Sequence, residues 1–180
     1  MKYWPLWLFV FALAVRLLLI GIFGLDGLYG QDAFAYFDCA RQILQLHSGQ
    51  LPCQDFYWPL GYPALAALFM LAGRGALFGA QLSSVVTGSA LAPVTYWLVI
   101  ECGLRGVAGS RQRNIALAAG LIMALCGALV ISSTVVMSDA AGLFWATLAA
   151  GLLLRWDRSA ASQPASWAWL VLAAVALGIA

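Results

Sequence analysis

Charge is scarce in this 180-residue sequence. Asp, Glu, Lys and Arg make up 9% of it, against about a quarter in soluble domains, so an ordinary soluble globule is excluded. The net charge of +2 is too small to call for a nucleic-acid partner. There is one histidine, His47, and the cysteines Cys39, Cys53, Cys102 and Cys126 contain no CxxC spacing, so no ligand pattern for zinc or iron–sulfur can be written. A bridge between Cys39 and Cys53 stays open, because spacing alone does not fix disulfide geometry. No internal repeat is present, and the only compositional bias is the Ala, Leu and Gly of the apolar runs.

What is there is apolar. Hydrophobic residues make up 64% of the chain and the mean hydropathy is +0.92. Aromatic residues, at 13%, gather at the ends of apolar runs, as interfacial belts do. The composition predicts an integral membrane protein. Residues 6–23 form the first run, long enough to span and long for a signal sequence, with no small-residue cleavage site after it. Residues 62–73 are too few to cross and read as an interfacial or re-entrant helix. Further spans are expected at 77–100, 115–136 and 140–154, and a fifth from Trp167. The predicted class is all-α: a polytopic transmembrane bundle of about five spans forming one domain over 1–180, with amphipathic juxtamembrane helices in a first outer loop at 24–73. Because the last run meets Ala180 without a polar stop, the chain reads as the front part of a longer protein.

Charge orients this arrangement. A single span in 77–100 puts Lys2, Arg105, Arg111, Arg113, Arg155 and Arg158 on one side, against Arg41 and Arg74 on the other. The positive-inside rule makes the first side cytoplasmic, with the N-terminus. The acids of the first loop, Asp26, Asp32, Asp38 and Asp55, then face outward. Within that loop Ala33, Tyr36, Phe37, Ala40, Ile43, Leu44 and His47 recur at helical spacing, opposite Asp38, Arg41, Gln42 and Gln45. This predicts a surface helix with Asp32 as its N-cap, Asp38 paired with Arg41, and an end at Ser48–Gly49. "DFYWPLGYP" then makes a rigid turn in which Tyr57, Trp58 and Tyr62 read as membrane anchors. Asp139, in "STVVMSDAAGLF", is a lone acid at the same outer level, either functional or a cap on the following span.

These residues together resemble the N-terminal part of the GT-C superfamily of membrane glycosyltransferases, which includes the protein O-mannosyltransferases and the lipid A aminoarabinose transferases. Asp32 matches the acid of the first outer loop and Tyr36 the aromatic after it. Gly49 matches the end of the surface helix, Pro59, Gly61, Tyr62 and Pro63 the proline-rich turn, and Ser138–Asp139 the second outer acid. Two departures are visible: Ala33 stands where many relatives have a second acid, and Leu60 replaces one proline. The resemblance implies transfer of a hexosyl or pentosyl group, with inversion, from a polyprenyl-phosphate donor to a protein, lipid or glycan acceptor. It places this at the outer face of a membrane, the bacterial inner membrane being suggested by the Ala/Leu/Gly bias. Asp32 is the expected general base, with helix capping as the alternative. Asp139, Tyr36, Arg16, Arg74 and Tyr62 are the expected substrate-binding residues, Arg16 and Arg74 for the carrier phosphate, with structural pairing as the other reading of Arg16. No metal ligand is expected and no definite cofactor, a divalent cation remaining open. As a fragment, the chain is expected to be inactive alone. The competing reading is a non-catalytic membrane protein, half a transporter or an assembly partner. Against it, the acids collect at the outer edge, whereas transporters place polar groups at the bilayer midplane.

Overall fold

The computed structural model describes residues 3–45, 53, 56–72, 76–103, 108–160 and 167–180. All the regular structure among them is helical: α1 (Trp4–Phe23), α2 (Gly30–Leu44), α3 (Gly61–Ala72), α4 (Leu77–Cys102), α5 (Gly109–Leu125), α6 (Gly127–Ser132), α7 (Ser138–Ala160) and α8 (Trp167–Ile179). Two described helices, α1 and α4, are long and apolar enough to cross a membrane.

Local chemistry explains most of the boundaries. Pro5 lies in the first turn of α1, where its missing N–H would have no helical partner anyway. Gly24 ends the helix in the left-handed region, φ 62°, its N–H donating to the Ile20 carbonyl. α2 buries Ala33, Tyr36 and Ala40 of the apolar stripe expected from the periodicity, leaves Phe37, Ile43 and Leu44 half-buried, and buries Cys39, which lies outside that stripe. It stops at Leu44, with Gln45 as its C-cap; His47 and Gly49 lie outside the described residues. The short apolar helix expected at 62–73 is α3.

α4 is the central post and packs against α1, α3, α5 and α7, while α2 leans on α3 and α8 on α7. Its first half is crowded with small polar residues, Gln81, Ser83, Ser84, Thr87 and Ser89, all buried. The hydroxyls of Ser83, Thr87 and Ser89 donate to carbonyls about one turn back. They are therefore satisfied inside their own helix, and small side chains let neighbouring backbones approach. At Gly79 a Cβ would come within 2.8 Å of the Met70 Cα, so the α3–α4 hairpin closes around a glycine.

Residues 115–136, expected as one helix, are interrupted. Cys126 takes an extended conformation, ψ 114°, separating α5 from α6, and α6 ends at Ser132. α7 is longer than the expected 140–154, starting at Ser138 and running on to Ala160.

The two ends of the bundle differ chemically. At one end Trp97 Nε1 and Arg155 donate to Glu101 Oε1 at 3.0 and 2.9 Å, and Arg158 approaches Oε2 at 3.5 Å. Gln112 donates there to the Val99 and Ile100 carbonyls. The guanidinium of Arg155 also lies over the Trp169 ring at 5.7 Å. At the other end stand hydroxyls and aromatic rings. α8 runs antiparallel to α7, with Trp169 beside Arg155 and Ile179 reaching Gly61 at the aromatic end.

Candidate functional site

The aromatic end is assembled by stitching two loops to α4. The side-chain amide of Gln81 donates to the Leu25 carbonyl at 3.1 Å and to the Thr134 carbonyl at 2.8 Å. The Val136 N–H donates to the Gly27 carbonyl at 2.9 Å. Gly27 has φ +87°, and a Cβ there would stand 3.0 Å from Gln81 Cγ, so the turn needs glycine for both conformation and space. Asp26 Oδ1 accepts the Leu28 N–H at 3.0 Å, which fixes that acid in the turn. These bonds set the start of α2 beside the start of α7.

Tyr36 completes the junction. It is buried, and its hydroxyl is 2.9 Å from Ser138 Oγ, across 102 positions of sequence. Its ring contacts Phe56, Trp58 and Tyr62 at centroid distances of 5.3, 5.7 and 5.1 Å. Tyr62, expected as a membrane anchor, is instead buried, its hydroxyl 2.5 Å from Ser84 Oγ. Burial pushes its phenol up to about 12, so it stays protonated and available as a donor. The reason is its place inside α3, facing α4; Tyr57, by contrast, is 91% exposed, as an anchor should be. Beside these groups lies a cavity of about 60 Å³ whose wall includes Tyr36, Tyr62, Ser138, Trp145 and Ala180.

Both expected acids belong to this end. Asp32 is half-buried in the first turn of α2, one turn before Tyr36. It is not the N-cap: Tyr29 holds that position, with no side-chain cap bond. The glycine at position 30 lets the helix begin two residues earlier than the acid. Asp32 therefore sits where the helix dipole favours a carboxylate without a capping bond. Asp139, next to Ser138, is exposed in the first turn of α7. Asp38 is held by Gln42, whose amide donates to Oδ2 at 2.8 Å, and not by Arg41 as the sequence suggested. The reason is the second job of Gln42: its Oε1 accepts the Cys53 N–H at 2.7 Å, which turns its amide nitrogen toward Asp38. Cys39 and Cys53 are joined in a disulfide, Cα–Cα 5.0 Å, which ties the strap before the aromatic turn to α2.

Of the two expected phosphate-binding arginines, one is described. Arg74 lies outside the described residues. Arg16 is fully buried and does not line the cavity with Tyr36 and Tyr62. Its Nε donates to Ser133 Oγ at 2.7 Å, and one Nη donates to the Ala12 and Ala124 carbonyls at 3.0 and 3.3 Å. The Ala124 carbonyl is free for this because the chain leaves the helix at Cys126. Among the described residues no group of three or more His, Cys, Asp or Glu side chains stands where it could hold a metal.

Sequence reasoning missed the polar face of α4 and the Glu101 cluster. The run Gln81-Leu-Ser-Ser, inside an apolar helix, carries the signal for the first. Glu101, at the end of an apolar run, has as its only sequence signal the spacing of Arg155 and Arg158 on one helix face. A larger cavity, about 690 Å³, lies between the start of α1 and α5 and is walled by Tyr3, Trp4, Trp7, Leu8 and Phe11 with Leu117 and Leu121. Its described lining is apolar and aromatic, with no Asp or Glu.

The family model for dolichyl-phosphate-mannose-protein mannosyltransferase matches residues 66–180. The match includes Ser138, Asp139 and Trp145 and begins after Asp32, Tyr36 and Tyr62. No curated protein and no solved structure gives a match.

Proposed function

The chain belongs to the dolichyl-phosphate-mannose-protein mannosyltransferase family, and on that premise we propose that it transfers a mannosyl group from a polyprenyl-phosphate carrier to an acceptor hydroxyl at the outer face of a membrane. It is a GT-C glycosyltransferase and an integral membrane protein. In the arrangement we favour, α1, α4, α5 with α6, α7 and α8 each run between the two ends of the bundle, and α2 and α3 lie at the outer surface. The basic end, with Arg155 and Arg158, faces the cytoplasm with the N-terminus, in a bacterial inner membrane. The Cys39–Cys53 bridge supports this orientation, because disulfides persist on the oxidising side of a membrane.

The observation that carries the reading is the Tyr36–Ser138 bond. It clamps the helix bearing Asp32 to the helix bearing Asp139, so two acids far apart in sequence serve one surface. Asp32 acts as the general base. It takes the proton of the acceptor hydroxyl as that oxygen bonds to the anomeric carbon. The bond from that carbon to the phosphate oxygen breaks, and its electron pair leaves with the polyprenyl phosphate. A single displacement of this kind inverts the anomeric centre. Asp139 orients the sugar or acceptor from the opposite side. Negative charge builds on the leaving phosphate and calls for a cation; Arg74, which follows α3 in the sequence, is our candidate. Nothing in this step requires a cofactor, and a divalent cation would serve only to neutralise the phosphate.

The test is sugar transfer by the full-length protein in lipid. Asp32→Asn should lower turnover by about a hundred- to ten-thousand-fold, the usual loss for a general base. Asp38→Asn, which removes only a surface contact with Gln42, should stay within about twofold of wild type. Equal turnover of Asp32→Asn and wild type at matched expression would remove Asp32 from the mechanism.

A further inference from the structure

Between α1 and α5 lies the groove of about 690 Å³. Gln112, in the first turn of α5, donates to the Val99 and Ile100 carbonyls, so α5 starts at the basic end of the bundle. A Cβ at Gly120 would stand 2.8 Å from Leu8 Cδ1, and Arg16 donates to the Ala124 carbonyl, so α1 and α5 run in the same direction. Tyr3, Trp4 and Trp7 therefore sit at the mouth, as rings do at a membrane interface, and Phe11 and Leu121 lie deepest. At about 1.5 Å per residue, Tyr3 to Phe11 covers about 12 Å, close to the ~15 Å of hydrocarbon in one leaflet. A cavity of about 150 Å³ holds one benzene; on that scale the groove takes on the order of 25–30 carbons, two fatty chains and not one.

The face of α5 that lines this groove changes character toward the basic end. Ser110, Arg113, Asn114, Leu117 and Leu121 follow one another at three- and four-residue steps, so they form one stripe along the helix. Leu117 and Leu121 line the groove, and the three polar residues continue the stripe one to two turns beyond it. Arg155 and Arg158 at this end are committed to Glu101. The side chains of Ser110, Arg113 and Asn114 engage no partner among the described residues. Arg113 is half-buried, which suits a stem laid along apolar surface with its charged head at the interface. The sequence has no Asp or Glu from residue 1 to 25 or from 102 to 138, so the two segments that form the groove carry cations and no acid. A guanidinium fork matches a phosphate. We propose that this groove binds an anionic two-chain phospholipid of the leaflet at the basic end, its fatty chains between α1 and α5 and its phosphate at Ser110, Arg113 and Asn114. The sugar-transfer surface lies at the opposite end, so this lipid is not the donor, and the site does not depend on the mannosyl-transfer reading.

The experiment is native mass spectrometry of the full-length protein, with phosphatidylglycerol and phosphatidylcholine of equal chain length titrated in. One phosphatidylglycerol per chain should be retained saturably, about fivefold more tightly than phosphatidylcholine, the worth of one basic side chain at an anionic headgroup. Arg113→Gln should remove that preference. Arg111→Gln makes the same change of charge at an exposed position off the stripe and should leave the preference within about twofold. Leu117→Trp fills the groove without touching charge and should lower retention of both lipids. Equal retention of the two lipids by the wild type would mean ordinary boundary lipid. No retained lipid would mean that another segment or a second copy closes the groove. Equal losses in Arg111→Gln and Arg113→Gln would mean diffuse surface charge. Each of these overturns the site. The wild-type comparison needs no variant, so misfolding of a variant cannot hide the result. A phosphatidylglycerol preference in a protein that transfers no sugar would keep the site and overturn the transferase reading; Asp32-dependent transfer without the preference would do the reverse.

Discussion

Replacing Gln81 tests how the outer end is held. Its buried amide donates two hydrogen bonds, to Leu25 at 3.1 Å and to Thr134 at 2.8 Å. Gln81→Leu conserves volume, so the wall beside Gly27 stays filled and no cavity term arises. What is lost is two bonds, each about 0.6 kcal/mol by membrane-protein cycles to about 1.5 kcal/mol by soluble ones. Both carbonyls are also left without this donor, so the total comes to about 1–3 kcal/mol. At about 2–4 °C per kcal/mol for a chain of this size, the midpoint of thermal unfolding in detergent should fall by roughly 2–12 °C. Gln81→Glu should fall further, because a carboxylate placed against two carbonyl oxygens adds repulsion to the missing donor. Tryptophan fluorescence during heating gives both midpoints. A Leu variant that melts with wild type, or a Glu variant more stable than the Leu variant, would refute the claim that this amide staples the α1–α2 turn to the segment before α7.

Gly79→Ala should destabilise by about 1–3 kcal/mol, the usual scale of overpacking, because its Cβ would meet the Met70 backbone at 2.8 Å. Gly21→Ala, whose Cβ meets nothing within 4 Å, should stabilise by about 0.5–1 kcal/mol; the two unfolding midpoints should move in opposite directions. In a Cys126→Ser background on spheroplasts, an impermeant reductant followed by an impermeant maleimide should label Cys39 and Cys53 and leave the exposed Cys102 unlabelled. Labelling of Cys102 alone would invert the topology.

Apolar run length located α1, α3, α4 and α8 to within a few residues, because long apolar runs leave few alternatives to a helix. It failed at Cys126, where nothing in "MALCGALV" announces a break. That break is stabilised from outside, by Arg16, which donates to the Ala124 carbonyl just before it. The sequence likewise placed Asp32, Tyr36 and Ser138–Asp139 on one surface through topology, and the structure brings Tyr36 and Ser138 into contact. The cap at Tyr29, the Asp38–Gln42 bond and the burial of Tyr62 were not legible. Each depends on which of several nearby partners wins, and that is decided by tertiary packing and by the Cys39–Cys53 bridge.

The buried guanidinium of Arg16 has a consequence for the order in which the chain enters a bilayer. The serine oxygen that accepts its Nε proton lies 117 residues downstream. At the usual pace of synthesis, about 5–20 residues per second, that oxygen emerges about 6–23 seconds after Arg16 does. Until the Ala124 carbonyl, 108 residues downstream, and then that oxygen emerge, the first helix carries a charge with no tertiary partner, at a penalty of about 2.5–3.5 kcal/mol on insertion scales. Its apolar neighbours outweigh that penalty, but it leaves the helix less firmly committed than its hydropathy implies. The first segment thus waits at the translocon, or beside a helper in the membrane, for the fifth and sixth helices to arrive and close over it. Early truncations that lack residues 109–133 should be the ones that quality control removes.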